Sequence, residues 1–512
     1  MLDFAFDPVA YFSKTRPDKV ACRDLDVGRS LTYAQLDARA SQFAAALRRM
    51  LPNVKGARVA SLARNSSDLL CLYLACLRTG AIYAPLNWRL TAAELATIAS
   101  GVGPSLLVYD AEFEDAASGV SAAAFDALFI RTGAALEAEI AAAPTQIGAD
   151  RIARGDDVTV LLSTSGTTGR PKAVMVTERN AQATALNYST SAEVGPHSVL
   201  LCNMPLFHVV GLLAVARTTL QMGATLLVAA RFDAAETVAH ITNPGLGVTH
   251  YFCAPQMAQM MRRAANFDPA PFRRLTALQT GGAPHAAIVV REWIDDGVRM
   301  VDGFGMSEAG TVLGMPPGNL DLLRRKAGSA GLPAITVELR LVARDGGEAA
   351  DGDTGEVWLR GPSVTPGYWS DEAATRAAFE DGWFKSGDAA RRDEDGFYTI
   401  VDRWKDMYVS GGENVYPAEV EAALAACAGV HEMAIVGVPD SRWGETGVAF
   451  IVPAAGANVS ADEIIRHCRA HLAAYKAPRH VVFVEALPRT ASGKLQKGAL
   501  REQWAKVGEP NA

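Results

Sequence analysis

Through the first 250 residues, short β-branched and leucine-rich runs alternate with stretches of helical periodicity. Apolar runs at 58–62, 81–85, 106–109, 158–162, 199–202, 226–229 and 249–253 read as buried strands. Between them, 37–50 carries alanines, Phe43 and Leu47 at amphipathic helical spacing, and 67–79 reads as a second helix. Strands alternating with helices predict an α/β layer built on a parallel sheet. The stretch 116–153 is alanine-rich and weakly patterned, and is expected to be peripheral. From about residue 335 the texture changes. Short strands at 336–342, 355–360 and 397–401 are separated by Asp/Gly turns, predicting a small β-rich subdomain. After the charged break Asp402-Arg-Trp-Lys-Asp406, helical patterns at 417–425 and 461–474 and strands at 431–438 and 448–452 suggest a compact α+β unit.

The chain's 512 residues exceed one core and suit two or more domains. With 49% hydrophobic and 21% charged residues, the composition is that of an ordinary globular protein. Forty-nine basic residues against 56 acidic ones leave −7, which argues against nucleic acid or a membrane surface as principal partner. Seven cysteines without Cys-x-x-Cys pairing read as reduced thiols, hence a cytoplasmic location. No signal peptide is visible at the start, and the most apolar stretch, 209–230, is interrupted by Arg217, Thr218, Thr219 and Gln221, too polar for a membrane span.

Candidate chemistry concentrates after the 158–162 strand, in Ser163-Thr-Ser-Gly-Thr-Thr-Gly-Arg-Pro-Lys172. Five hydroxyls and two glycines within 163–169 could wrap phosphate oxygens, with Lys172 as a mobile charge. A Walker A loop is excluded, because Pro171 precedes the lysine and 173–177 reads as a strand. On composition alone, a Ser/Thr/Gly surface turn is as good a reading. Further on, Gln279-Thr-Gly-Gly-Ala-Pro284 and Val301-Asp-Gly-Phe-Gly-Met-Ser-Glu308 place glycines, an aromatic ring and a carboxylate together. Asp381-Gly-Trp-Phe-Lys-Ser-Gly-Asp388 and Pro488-Arg-Thr-Ala-Ser-Gly-Lys494 complete the set. No His/Cys cluster has metal-site spacing.

These motifs, running in order along nearly the whole chain, resemble those of the adenylate-forming superfamily: acyl-CoA synthetases, peptide-synthetase adenylation domains and luciferases. Most members have glycine where this chain has Ala173, and members acting on halobenzoates can carry alanine. Phe304 and Ser307 are mild departures from the family's Tyr-Gly-x-Thr-Glu. The resemblance implies a large adenylating domain over 1–402 and a small mobile C-terminal domain over 403–512. ATP, Mg²⁺ and coenzyme A would be the cofactors, with a homodimer as an open option.

By this resemblance Thr164, Ser165, Gly166, Thr167, Thr168, Gly169 and Lys172 would cradle ATP phosphates. Gly281, Gly282, Ala283 and the run Asp302, Gly303, Phe304, Gly305, Met306 would form the adenine side. Ser307 would reach the α-phosphate and Glu308 would hold Mg²⁺. Asp388 would take both ribose hydroxyls, joined by Arg403. Lys494 would bridge carboxylate and α-phosphate as charge builds during adenylation. Lys405 falls at the hinge. Gly411 and Gly412 would line the pantetheine tunnel, and Arg89, Trp443, Tyr475 and Arg479 would hold the CoA nucleotide. The acyl slot would be made by His208, Val209, Val210, Phe252, Gly281, Gly303, Gly310 and Thr311, with His208 beside the acyl carbonyl.

The activity implied is ATP-dependent carboxylate–CoA ligation through an acyl adenylate. A ligase that loads a carrier protein and a catalytically inactive nucleotide-binding homologue are the alternatives. The expected acid is a hydrophobic monocarboxylate larger than benzoate, aryl ahead of linear fatty acid, because the slot residues offer no fixed charge.

Overall fold

A computed structural model describes residues 6–123, 126–143, 153–164, 171–283, 285–410, 413–489 and 495–507. The chain forms two compact units, Met1–Leu339 with Leu359–Phe384, and Arg340–Trp358 with Lys385–Ala512.

The first unit holds two sheets of mainly parallel strands. In the six-stranded one, Arg58–Leu62 lies between Ile82–Pro85 and Leu106–Tyr109, and Val158–Thr164 pairs antiparallel with the edge strand Lys172–Thr177. In the nine-stranded one, Thr225–Val228, Val199–Cys202, His250–Cys253, Ala277–Thr280 and Met300–Met306 run parallel in that order. The parallel α/β expectation therefore holds. The buried strands are the near-continuous apolar runs that parallel sheets require when both faces are covered.

Element ends follow local chemistry. The helix Ser67–Thr79 is capped by the Ser66 hydroxyl and stops at Gly80, whose φ of 75° is the left-handed turn that glycine tolerates. The helix expected from residue 37 begins at Tyr33 instead, since Thr32 and Gln35 form a reciprocal capping box four residues earlier. The weakly patterned 116–153 stretch contains more structure than expected. Leu128–Arg131 pairs parallel with Leu106–Tyr109 as the edge of the six-stranded sheet. Its short apolar run, Leu128-Phe-Ile130, was hidden in the surrounding alanine-rich stretch.

The apolar 209–230 stretch becomes a π-helical segment, Val210–Arg217, a short helix and the strand Thr225–Val228. Arg217 is fully buried there, pairing with Glu178 at 2.5 Å and with the Tyr73 hydroxyl at 3.1 Å. Among the described residues no helix is long and apolar enough to cross a membrane.

In the second unit, Trp383–Arg392 pairs antiparallel with Tyr398–Arg403. Farther along, Val430–Asp440 and Gly444–Pro453 form a long hairpin, joined by Tyr408–Ser410 and His480–Phe483. Helices Pro417–Leu424 and Ala461–His471 cover one face of this sheet through Val420, Leu424, Ile464 and Cys468, and Lys497–Val507 covers the other through Leu500 and Trp504.

Candidate active site

The parallel register of the first unit aligns Cys253, Thr280 and Asp302 at the carboxyl ends of neighbouring strands. Ligands bind beyond such strand ends in open α/β sheets. Here the chain turns through Gly281 and Gly282, the latter at φ 81°, while Met300–Met306 runs on into a hairpin with Gly310–Gly314. The turn and the hairpin wall an apolar cleft. Seven of the eight expected acyl-slot positions meet in it: Val209, Val210, Phe252, Gly281, Gly303, Gly310 and Thr311. Gly282, Asp302, Phe304 and Gly305 complete the same wall, whereas Ala283 and Met306 stand next to it in the chain but do not line the cleft.

Two expectations about this cleft change. His208 does not line it. Its ring packs on Phe207 at 4.6 Å, and its backbone N–H donates to the Pro205 carbonyl at 3.1 Å. Gly310 lines the cleft for another reason than leaving acyl volume. It sits at φ 62°, and a Cβ there would come 2.0 Å from Thr184 Oγ1. The glycine is demanded by the backbone and by helix Glu178–Ala192 packing against it. At Gly303 an added Cβ would stand 3.1 Å from the Leu313 carbonyl oxygen, a contact a small shift could relieve.

Asp302 is not a free carboxylate. Its Oδ1 accepts from the Thr280 hydroxyl and lies 3.0 Å from His285 Nδ1. The sequence offered no reason to single out His285, which follows the Gly-Gly-Ala-Pro turn and is almost buried.

Thr164 and Lys172 face each other where their strand pair meets its connecting segment, with the Thr164 hydroxyl 3.4 Å from the Lys172 carbonyl oxygen. Ser165, Gly166, Thr167, Thr168 and Gly169 between them lie outside the described residues. The Lys172 ammonium lies 4.7 Å from the centre of the Tyr368 ring. The same tyrosine's hydroxyl donates to Glu308 Oε1 at 3.1 Å, and the Glu308 carbonyl accepts from Thr365 N–H at 2.7 Å. Burial first, and Glu308 second, push the Tyr368 pKa up, so the phenol stays a donor. Glu308 and Ser307 occupy the turn between the two hairpin strands. Tyr368 escaped the sequence reading, although its place in Pro366-Gly-Tyr-Trp369 was the available signal.

Arg89 stacks over Trp88 at 4.4 Å and lies 5.7 Å from the Phe207 ring. Burial, and then Arg64, lower its pKa.

In the second unit, strand pairing sets Asp388 directly opposite Arg403, and the guanidinium Nε meets Asp388 Oδ1 at 3.0 Å. Asp402 accepts from the backbone N–H groups of Arg403 and Ala418, both at 2.7 Å, tying the strand to the start of helix Pro417–Leu424. Lys405 follows in a turn, where burial lowers its pKa against the opposing pull of Asp406. Trp443 carries Arg479 at 4.7 Å and Arg442 at 5.0 Å from its ring centre. Its buried indole N–H has no partner among the described residues. Tyr475 stands half-exposed in the short turn Ala474–Lys476, with no described contact to that cluster. Gly411, Gly412 and Lys494 lie outside the described residues.

Comparison with known proteins accords with this geometry. Residues 9–369 match the family described as AMP-binding enzyme, and residues 419–494 match the AMP-binding enzyme C-terminal domain. The chain is 37% identical over 482 residues to a feruloyl-CoA synthase of an Amycolatopsis species, covering 93% of this chain and 94% of that one. It is 35% identical over 497 residues to a long-chain-fatty-acid–CoA ligase of Mycobacterium tuberculosis, covering 93% of each. Among solved structures, it is similar to o-succinylbenzoate CoA synthetase of Bacillus subtilis in complex with its acyl-adenylate intermediate. The TM-score is 0.86, at 28% identity, over 96% of this chain and 97% of that one.

Proposed function

The chain belongs to the AMP-binding enzyme family as an AMP-forming acyl-CoA ligase, and on that premise we propose that its acid is a hydrophobic monocarboxylate larger than benzoate, with aryl acids ahead of linear fatty acids. The reaction joins a carboxylate to CoA through an acyl adenylate, at the expense of ATP. A carboxylate is a poor electrophile, and activation as a mixed anhydride with AMP makes displacement by the CoA thiol feasible.

The cleft carries the proposal about the acid. Val209, Val210, Phe252, Ala214 and Leu313 give it apolar walls, and glycines keep its mouth open. Its one carboxylate, Asp302, is already engaged by Thr280 and His285, so no cation or free anion waits for a second charge on the substrate. Burying an unpaired charge there would be costly. The feruloyl-CoA synthase and o-succinylbenzoate ligase relatives support an aryl acid, and the long-chain-fatty-acid ligase keeps the linear acid as the competitor.

The remaining roles are assigned on the same footing. Thr164 through Gly169 and Lys172 receive the phosphates, and Gly281, Gly282, Ala283 and Phe304 the adenine. Ser307 meets the α-phosphate, and Asp388 with Arg403 takes the ribose. Glu308 fits a hard cation: Oε1 is held by Tyr368, and Oε2 accepts from no described residue. Mg²⁺ bound there with ATP supplies positive charge against the phosphate oxygens. Lys494 places its ammonium between the acid carboxylate and the α-phosphate. Residues 403–512 turn about Lys405 as a mobile domain, presenting Gly411, Gly412, Trp443, Tyr475 and Arg479 to CoA, with Arg89 contributed from 1–402. The seven cysteines, all free thiols, support a reducing, cytoplasmic setting.

A panel of acids assayed for pyrophosphate release and for CoA ester formation tests the proposal. Cinnamates and larger aryl acids should lead, followed by medium-chain alkanoates. Acetate or malonate as the best substrate would overturn it.

A further inference from the structure

Two residues in the cleft wall were not foreseen as part of the site. Tyr188 projects from helix Glu178–Ala192 and Gln279 from strand Ala277–Thr280, and both line the cleft. They are nearly buried, at 2% and 8% exposure. The Tyr188 hydroxyl donates to Gln279 Oε1. Burial pushes the phenol's pKa far up, so it remains a proton donor. The amide stands with its carbonyl oxygen toward that hydroxyl, which leaves the NH₂ group on its other side. No described residue accepts a hydrogen bond from that nitrogen. Of the other lining residues, Val209, Val210, Phe252 and Leu313 have no side-chain acceptor, and the oxygens of Thr280 and Asp302 are engaged with each other and with His285.

The amide is thus held by its oxygen, and its NH₂ group, which is not sealed from the cleft, donates to no described residue. A ligand that displaces solvent from such a group must accept from it or leave it unpaired, so it discriminates between ligands that can and cannot accept. We propose that Gln279, locked by Tyr188, is a specificity-determining residue that donates to a neutral oxygen on the acyl portion of the acid, so that the substrate is an oxygenated aryl acid bearing an ether, phenol or ketone oxygen. This rests on the aryl-acid reading of the cleft. A neutral acceptor suits it better than a second carboxylate, because a single uncharged donor cannot offset the burial of a charge.

The test uses matched acids of equal shape: 3- and 4-methoxycinnamate against 3- and 4-ethylcinnamate, with hexanoate and octanoate alongside. Adenylation is followed by pyrophosphate exchange, and the KM for ATP is measured in parallel. The unaltered enzyme should favour the methoxy acid by about 10-fold in kcat/KM at one ring position. Gln279→Leu and Gln279→Met should bring that ratio near one while leaving the KM for ATP unchanged. Tyr188→Phe should lower the ratio in part, since the amide is then free to turn. Equal rates for methoxy and ethyl acids at both positions, or a ratio that survives in both Gln279 variants, would overturn the role of Gln279 while leaving the aryl reading standing. Turnover of alkanoates with no cinnamate turned over would overturn both.

Discussion

The hydroxyl of Tyr368 donates to Glu308 Oε1 at 3.1 Å, across 60 residues of sequence. The ring beneath that hydroxyl is also the one over which Lys172 holds its ammonium. One tyrosine thus orients the carboxylate proposed for Mg²⁺ and the lysine proposed for the phosphates. Tyr368→Phe keeps the ring and removes the hydroxyl. It should lower adenylation by about 10-fold, since a hydrogen bond to a charged group is worth roughly 1.5–3 kcal/mol. It should also raise the Mg²⁺ concentration needed for half-maximal binding of an ATP analogue. Tyr368→Leu should in addition weaken ATP binding. A Phe variant with unchanged Mg²⁺ dependence and rate would remove Tyr368 from the site.

Lys494 is assigned to the first half-reaction alone. Lys494→Ala should therefore depress adenylation by at least about 10²–10³, the effect of losing one preorganised electrostatic contact. Thioesterification of supplied acyl adenylate should persist. Equal losses in the two steps would mean that the lysine is structural or serves both.

The two hairpin glycines should respond differently to a side chain. Gly303→Ala needs only a small adjustment against the Leu313 carbonyl, and should shift kcat/KM toward smaller acids by about 10-fold. Gly310→Ala combines a positive φ with a collision at Thr184, and should lower the unfolding temperature rather than reshape specificity. Thermal melts alongside an acid panel distinguish the two; a stable Gly310→Ala enzyme with altered acid preference would contradict this assignment.

Arg217 and Glu178 form a fully buried ion pair on facing helical segments. Removing one partner strands the other charge, so Arg217→Met should cost about 3–5 kcal/mol of stability. The double replacement Arg217→Met with Glu178→Leu should recover most of that loss, because it also removes the orphaned carboxylate. Chemical denaturation of the three proteins provides the measurement. Additive losses in the double variant would show that the charges do not compensate each other.

The parallel strands were legible because their residues are apolar on both faces, and a run such as 106–109 has few other uses. The helix 67–79 was legible from its serine cap and terminal glycine, which act within a few residues of chain. Leu128–Arg131 was not, since its three apolar residues sit in an alanine-rich stretch that has no clear period of its own. The phosphate-loop, adenine and ribose motifs stand out because each packs its chemistry into ten consecutive residues or fewer. The acyl walls were nominated through the family resemblance instead, since of Val209, Val210, Phe252 and Gly303 only Gly303 lies within such a motif.

The amino-acid sequence by itself determined the order of strands and helices, the local caps, and the motifs that identify an adenylate-forming ligase, because each depends on neighbours a few positions away. Only the tertiary structure decided which side chains share a space. Tyr368 with Glu308, Tyr188 with Gln279, His285 with Asp302 and Arg217 with Glu178 are each separated by 17 to 91 residues. Hydrogen bonds and ion pairs require atoms within about 3 Å, and that proximity is created by sheet register and helix packing rather than by spacing along the chain.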